Sequence, residues 1–239
     1  MENFNQNKVC RSYAIINTCI AGSTGKIAVG LHQYITDLGY DSIFCYGRED
    51  GEVKENFYKI GSKLALFLHV LIARILGLQG YGSYFVTKRL IKKLTRRKVE
   101  TLFLVSPHGY YLNERLLYSF VAKNNLNLIY IMIDEYAFLG KCGYSTFCNN
   151  YLSGCHNCPK IRVYPKSLFI NGSPVIYKMK ERAYKNIKSM VFVGPEYTVD
   201  RAKKSPLLRG KTIKVLDEAI NTSFYLPRDN SDLINELGI

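Results

Sequence analysis

Short apolar runs recur down this chain, and each empties into a turn that leads toward a helical pattern. Residues 9–17, 41–46, 101–105, 128–133, 190–193 and 212–216 read as buried strands, and the segments between most of them carry apolar residues at three- and four-residue spacing. Strand, turn and helix in alternation restrict the fold to a doubly wound α/β sheet, mostly parallel, of about six or seven strands. In such a sheet the loops leaving the strand ends share one carboxyl edge, where ligands bind.

The first strand runs into Ala21-Gly22-Ser23-Thr24-Gly25-Lys26, followed by a helical pattern over 27–38. Glycines allow close backbone approach to a ligand, and a helix N-terminus offers unpaired N–H groups to phosphate. The segment is not a Walker A loop, because Ile27 follows Lys26 where Ser or Thr should stand. Phosphate contact and a plain tight turn are both open readings.

Two further strand ends carry candidate chemistry. Residues 101–105 end in Ser106-Pro107-His108-Gly109-Tyr110-Tyr111-Leu112-Asn113, with Asn113 placed to cap a helix over 114–123. If the strands are parallel, His108 shares the sheet edge with Gly22 and Asp134; it reads as a site residue or as a structural histidine. Residues 128–133 stop at Asp134-Glu135-Tyr136. A carboxylate there suits hydrogen bonding to a ligand, or simply caps the loop.

The glycine-bearing loop 140–160 lacks the apolar content to pack itself, and Cys142, Cys148, Cys155 and Cys158 crowd into it. Spacings of five, six and two residues, ending in a C-x-x-C pair, suit a structural zinc site with no open coordination position. His156 could replace one ligand; reduced thiols or a disulfide pair are the alternatives. Cys10, Cys19 and Cys45 lie in or beside apolar segments and read as buried or free thiols.

With 239 residues, 47% of them hydrophobic, the chain can bury a sizeable core, and disorder is excluded. The 33 basic against 19 acidic residues give a net charge of +14, which favours an anionic partner. The polar start MENFNQNK has no signal-peptide core, so a cytoplasmic location is expected. Residues 64–78, LALFLHVLIARILGL, are too short for a span of about 20 residues and read as a core helix or a helix in the membrane interface. Over 85–98 the basic residues Lys88, Arg89, Lys92, Lys93, Arg96, Arg97 and Lys98 sit on a helical pattern with no acid. That suits the inner face of an acidic membrane, reached peripherally through 64–98, or a merely basic outer helix face. Nucleic acid is disfavoured, since interleaved aromatics and duplex-reading motifs are lacking. Residues 227–239 are polar and begin a helix that stops without an evident cap.

Taken together, INT followed by GSTGKIA, IGSKL, GYGS, HGYYLN, DEYAFLGKC, GCHNCP and YPKS make nearly the whole chain resemble the N-terminal domain of bacterial family 4 glycosyltransferases of the colanic-acid type. The resemblance implies a Rossmann-like domain, half of the two-domain GT-B arrangement, which retains anomeric configuration. Residues 1–222 would form the acceptor-side domain, and 223–239 a linker into a donor-binding domain lying beyond this chain. It also implies a nucleotide-sugar co-substrate and a glycan or lipid-linked acceptor in cell-surface polysaccharide synthesis. Gly22, Ser23, Gly25 and Lys26 would approach the donor diphosphate, and His108, Tyr110, Asp134, Glu135 and Tyr136 would line the acceptor side. The chain departs from the family pattern at Ile133, where relatives carry an active-site histidine, at 103–106, and at 217–221. These departures point to a specialised or inactive variant, so a non-catalytic glycan- or membrane-binding module is the alternative.

Overall fold

The computed structural model describes residues 11–48, 54–216 and 230–238. Seven strands form one sheet: β1 (Ser12–Asn17), β2 (Asp41–Tyr46), β3 (Phe57–Lys59), β4 (Thr101–Leu104), β5 (Asn127–Ile131), β6 (Met190–Gly194) and β7 (Thr212–Val215). Their spatial order is β3-β2-β1-β4-β5-β6-β7, and every adjacent pair is parallel. Strand order reverses between β1 and β4, which makes the carboxyl end of that pair the topological switch point. Ala14, Ile15 and Ile16 of β1 are fully buried, as expected of a central parallel strand covered on both faces. The short β3 is absent from the sequence reading, because Phe57-Tyr58-Lys59 is too brief to show alternation after a polar loop.

Helices α1 (Gly22–Asp37), α2 (Lys63–Leu76), α3 (Tyr84–Arg96), α4 (Glu114–Lys123), α5 (Ser173–Asn186), α6 (Glu196–Lys204) and α7 (Ser231–Leu237) accompany the sheet, with short 3-10 turns at Tyr136–Phe138, Asn150–Leu152 and Pro206–Leu208. Two cores lie on opposite faces of the sheet. Leu90 and Leu94 of α3, Leu117 and Val121 of α4, and Ile176 and Met179 of α5 build the larger one. Ala28 and Ile35 of α1 pack on Ile15, Phe44 and Val105 in the smaller.

Several expectations shift. α1 begins at Gly22, so the glycine segment is the first helical turn. Gly25 is required there because a Cβ would stand 2.3 Å from the Ile20 carbonyl oxygen. Asn113 caps α4, its side chain accepting from Leu116 N–H at 3.0 Å. α2 is not a core helix: only His69 and Ala73 are buried, while Leu64, Phe67, Leu68, Leu71, Ile72, Ile75 and Leu76 are exposed. Among the described residues no helix is long and apolar enough to cross a membrane. α7 does have a C-cap, Gly238 in the left-handed conformation at φ 68°. The readings made for 9–10, for 217–221 and for the boundary at 222 lie outside the described residues.

Candidate functional site

At the switch point, a cavity of about 300 Å³ is lined by Ser23, Thr24 and Ile27 of α1, Ser106 and His108 after β4, Ile133 and Asp134 after β5, and Tyr144. Three segments far apart in sequence meet here because adjacent parallel strands deliver their loops to one edge. The Thr18 hydroxyl braces the His108 loop, lying 2.8 Å from the His108 carbonyl and 2.9 Å from that of Ser106. α1 has no side-chain cap at Ala21, so the first amides of a 16-residue helix stand beside the cavity without one.

His108 Nε2 lies 3.2 Å from Asp134 Oδ2, and Asp134 Oδ1 accepts the Tyr136 N–H at 2.9 Å. Burial lowers the His108 pKa and raises that of Asp134; their mutual attraction opposes both shifts. Pairing with the carboxylate puts the imidazole proton on Nε2 and leaves a lone pair on Nδ1. That Nδ1 is buried and has no partner among the described residues. A buried acceptor without a donor is what a ligand hydroxyl would satisfy.

The remaining expected site residues are placed differently. Gly22 and Lys26 are exposed on the first turn of α1 and do not line the cavity, and Gly25 is buried against Ile20. Tyr110 adopts φ 67° and packs edge-on against Tyr164, with ring centroids 6.0 Å apart; Tyr164 lies 6.4 Å from His108. Glu135 is engaged elsewhere, accepting from Arg201 Nε at 2.5 Å and from Ser145 N–H at 2.6 Å. Tyr136 is fully buried beneath His108, at 4.7 Å between ring centroids, and its hydroxyl donates to Glu114 Oε1 at 2.5 Å.

The expectation of zinc at Cys142, Cys148, Cys155 and Cys158 is corrected. Among the described residues no group of three or more His, Cys, Asp or Glu is arranged to hold a metal ion, and the four cysteines are free thiols. Cys155 sulfur instead accepts the Gly140 N–H at 3.2 Å. Cys142 and Cys158 hydrogen-bond to each other, which raises the pKa of Cys142 and lowers that of Cys158. Lys141 and Lys160 share the small enclosure these thiols line, an electropositive setting for a cation.

Lysines supply the fastening assigned to metal. Lys180, fully buried on α5, donates to the carbonyls of Tyr136 at 2.5 Å, Leu139 at 3.1 Å and Gly140 at 3.1 Å. Lys141 reaches the carbonyls of Val163 and Pro165, and Lys160 that of Ser145. Lys180 also stands 3.3 Å from the centre of the Tyr136 ring, directly supporting the platform under His108. In sequence, Lys180 looks like any basic position of a surface helix.

A larger hollow lies between α4 and α5, but its side chains are exposed cations around an apolar floor. The switch-point cavity has convergent buried polar groups and an unsatisfied acceptor, which identify it as the candidate site despite its smaller volume.

No family model matches the chain. It is 25% identical over 156 residues to the "Putative colanic acid biosynthesis glycosyl transferase WcaC" of Escherichia coli K12, a match covering 60% of this chain and 38% of that protein. The chain is thus distantly similar to a bacterial glycosyl transferase over part of its length. Among solved structures, the lac repressor dimer bound to operator and the anti-inducer ONPF aligns at 10% identity and a TM-score of 0.31, covering 95% of this chain and 84% of that one. CobK precorrin-6A reductase aligns at 11% identity and 0.30, covering 95% and 96%.

Proposed function

We propose that residues 1–222 form the acceptor-side half of a GT-B sugar transferase of family 4, with 223–239 leading toward a donor-binding domain. The observation that carries this reading is the unpartnered, buried Nδ1 of His108, held by Asp134 in a cavity beside the start of α1. Distant similarity to the "Putative colanic acid biosynthesis glycosyl transferase WcaC" points the same way. In this role an acceptor hydroxyl donates to His108 Nδ1, and Asp134 fixes the tautomer and ring orientation. The first amides of α1 face the diphosphate of a nucleotide sugar, whose leaving charge they stabilise. Glu135 and Tyr136 act behind this surface, bracing the loop that carries Asp134.

Equilibrium binding tests the assignment. Short oligosaccharides and nucleotide sugars should bind this chain, and His108→Ala or Asp134→Asn should weaken oligosaccharide binding about tenfold, the scale of one buried hydrogen bond. Binding that ignores both substitutions would remove the site.

A second reading, a glycan-binding module without transfer activity, is favoured by Ile133, an apolar side chain in the cavity lining that cannot hydrogen-bond a sugar. Hydrolysis or transfer from a nucleotide sugar that appears in Ile133→His and is absent beforehand would favour this second reading.

A peripheral position on an acidic membrane fits the same function. Support comes from the exposed apolar face of α2, with Leu64 66% and Phe67 62% exposed, beside Phe85 of α3 at 76%. Lys88, Arg89, Lys92 and Arg96 of α3 are exposed in the next helix, a combination suited to an interfacial surface.

A further inference from the structure

The hollow between α4 and α5, about 660 Å³, shares no lining residue with the His108 cavity. α4 and α5 cover the sheet face opposite α1, the helix that contributes Ser23, Thr24 and Ile27 to the His108 cavity. Four cations line the hollow, Arg115 and Lys123 from α4 and Lys178 and Arg182 from α5, and no carboxylate does. Among the described residues none of the four takes part in an ion pair. A solvated helix surface ordinarily mixes signs, and like charges facing one concavity repel until an anion enters.

The spacing says what kind of anion fits. Arg115 and Lys123 are eight residues apart, about 12 Å along α4, while Lys178 and Arg182 are one turn apart, about 6 Å. Arginine forks bind phosphate and carboxylate alike, two donors at a time. The floor, with Met179 and Ala183, is apolar.

We infer that this groove binds an oligoanion, a molecule with three or four phosphate or carboxylate groups spread along up to about 12 Å, the limit set by the helix rise between Arg115 and Lys123. The inference is independent of the sugar-transferase reading.

Calorimetric titration with tripolyphosphate and with a tetrameric uronate tests it, using sulfate at equal ionic strength as the reference. At least one probe should bind at one site per chain, tenfold or more tighter than sulfate, and weaken as salt rises. Arg115→Ala with Arg182→Ala should reduce that affinity at least tenfold, whereas His108→Ala should leave it unchanged. Both arginines are exposed, so an unaltered circular dichroism spectrum will certify the double variant. Binding of the phosphate probe alone assigns a phosphorylated ligand, and of the uronate alone an acidic glycan. Neither probe exceeding sulfate, or a double variant that binds like the wild type, would overturn the inference.

Discussion

Replacing Lys180 by methionine should test whether a buried ammonium, in place of a metal, holds the loop behind the candidate site. The substitution keeps most of the volume but removes donors from the carbonyls of Tyr136, Leu139 and Gly140. Orphaning each buried acceptor costs about 2 kcal/mol, so the gross loss is about 6 kcal/mol. Against this, wild type carries the cost of burying a charge. Burial lowers the Lys180 pKa from 10.5 to about 8, equivalent to about 3 kcal/mol that the variant no longer bears. The net loss near neutral pH is therefore about 3 kcal/mol. Between pH 8 and 10.5 the unfolded chain holds a proton on Lys180 that the folded chain has released, so wild-type stability rises with pH through this group. Methionine has no such dependence, and the difference between the two proteins should widen by about 2 to 3 kcal/mol by pH 10. Urea unfolding followed by far-ultraviolet circular dichroism at pH 7 and pH 10 measures both quantities. A difference below about 1 kcal/mol at pH 7, the worth of a single ordinary hydrogen bond, or one that shrinks as pH rises, would refute the reasoning.

Three other outcomes are expected. Gly25→Ala should destabilise the fold by about 2 to 3 kcal/mol, because the new Cβ meets the Ile20 carbonyl, whereas Gly22→Ala meets only its left-handed φ and should cost about 1 kcal/mol; urea unfolding separates them. Dialysis against a strong chelator should leave the melting temperature unchanged, since lysine–carbonyl bonds brace the cysteine loop; a fall of 5 °C or more with release of stoichiometric zinc would contradict this. Vesicles containing acidic lipid should retain the protein in sedimentation, and Lys88→Ala with Lys92→Ala should weaken retention about thirtyfold at about 1 kcal/mol per cation, whereas equal retention by neutral vesicles would contradict a basic docking face.

The alternation of apolar runs with helical segments was legible because parallel strands buried on both faces leave continuous apolar stretches. Asn113 and the convergence of His108 with Asp134 followed from that same geometry, since loops after parallel strands must share an edge. What sequence could not show were the partners chosen across the fold. Glu135 stands beside Asp134, yet Arg201, 66 residues away, turns it from the cavity. Lys180 lies in a basic helical run whose burial depends on packing with Glu114 and Tyr136. Cysteine spacing allowed a metal but did not fix where the thiols point. The hydropathy of 64–78 left a core helix and an interfacial helix both open, and the packed structure shows α2 as an exposed apolar face.

The ring nitrogens of the histidines provide the most direct measurement. In a ¹⁵N spectrum of histidine-labelled protein at neutral pH, His108 should carry its proton on Nε2 and a bare Nδ1. Saturating oligosaccharide should shift that Nδ1 resonance, while those of buried His32 and His69, outside the cavity lining, stay fixed. A proton on Nδ1, or a His108 signal that does not move when the sugar is bound, would contradict a site built on His108 and Asp134.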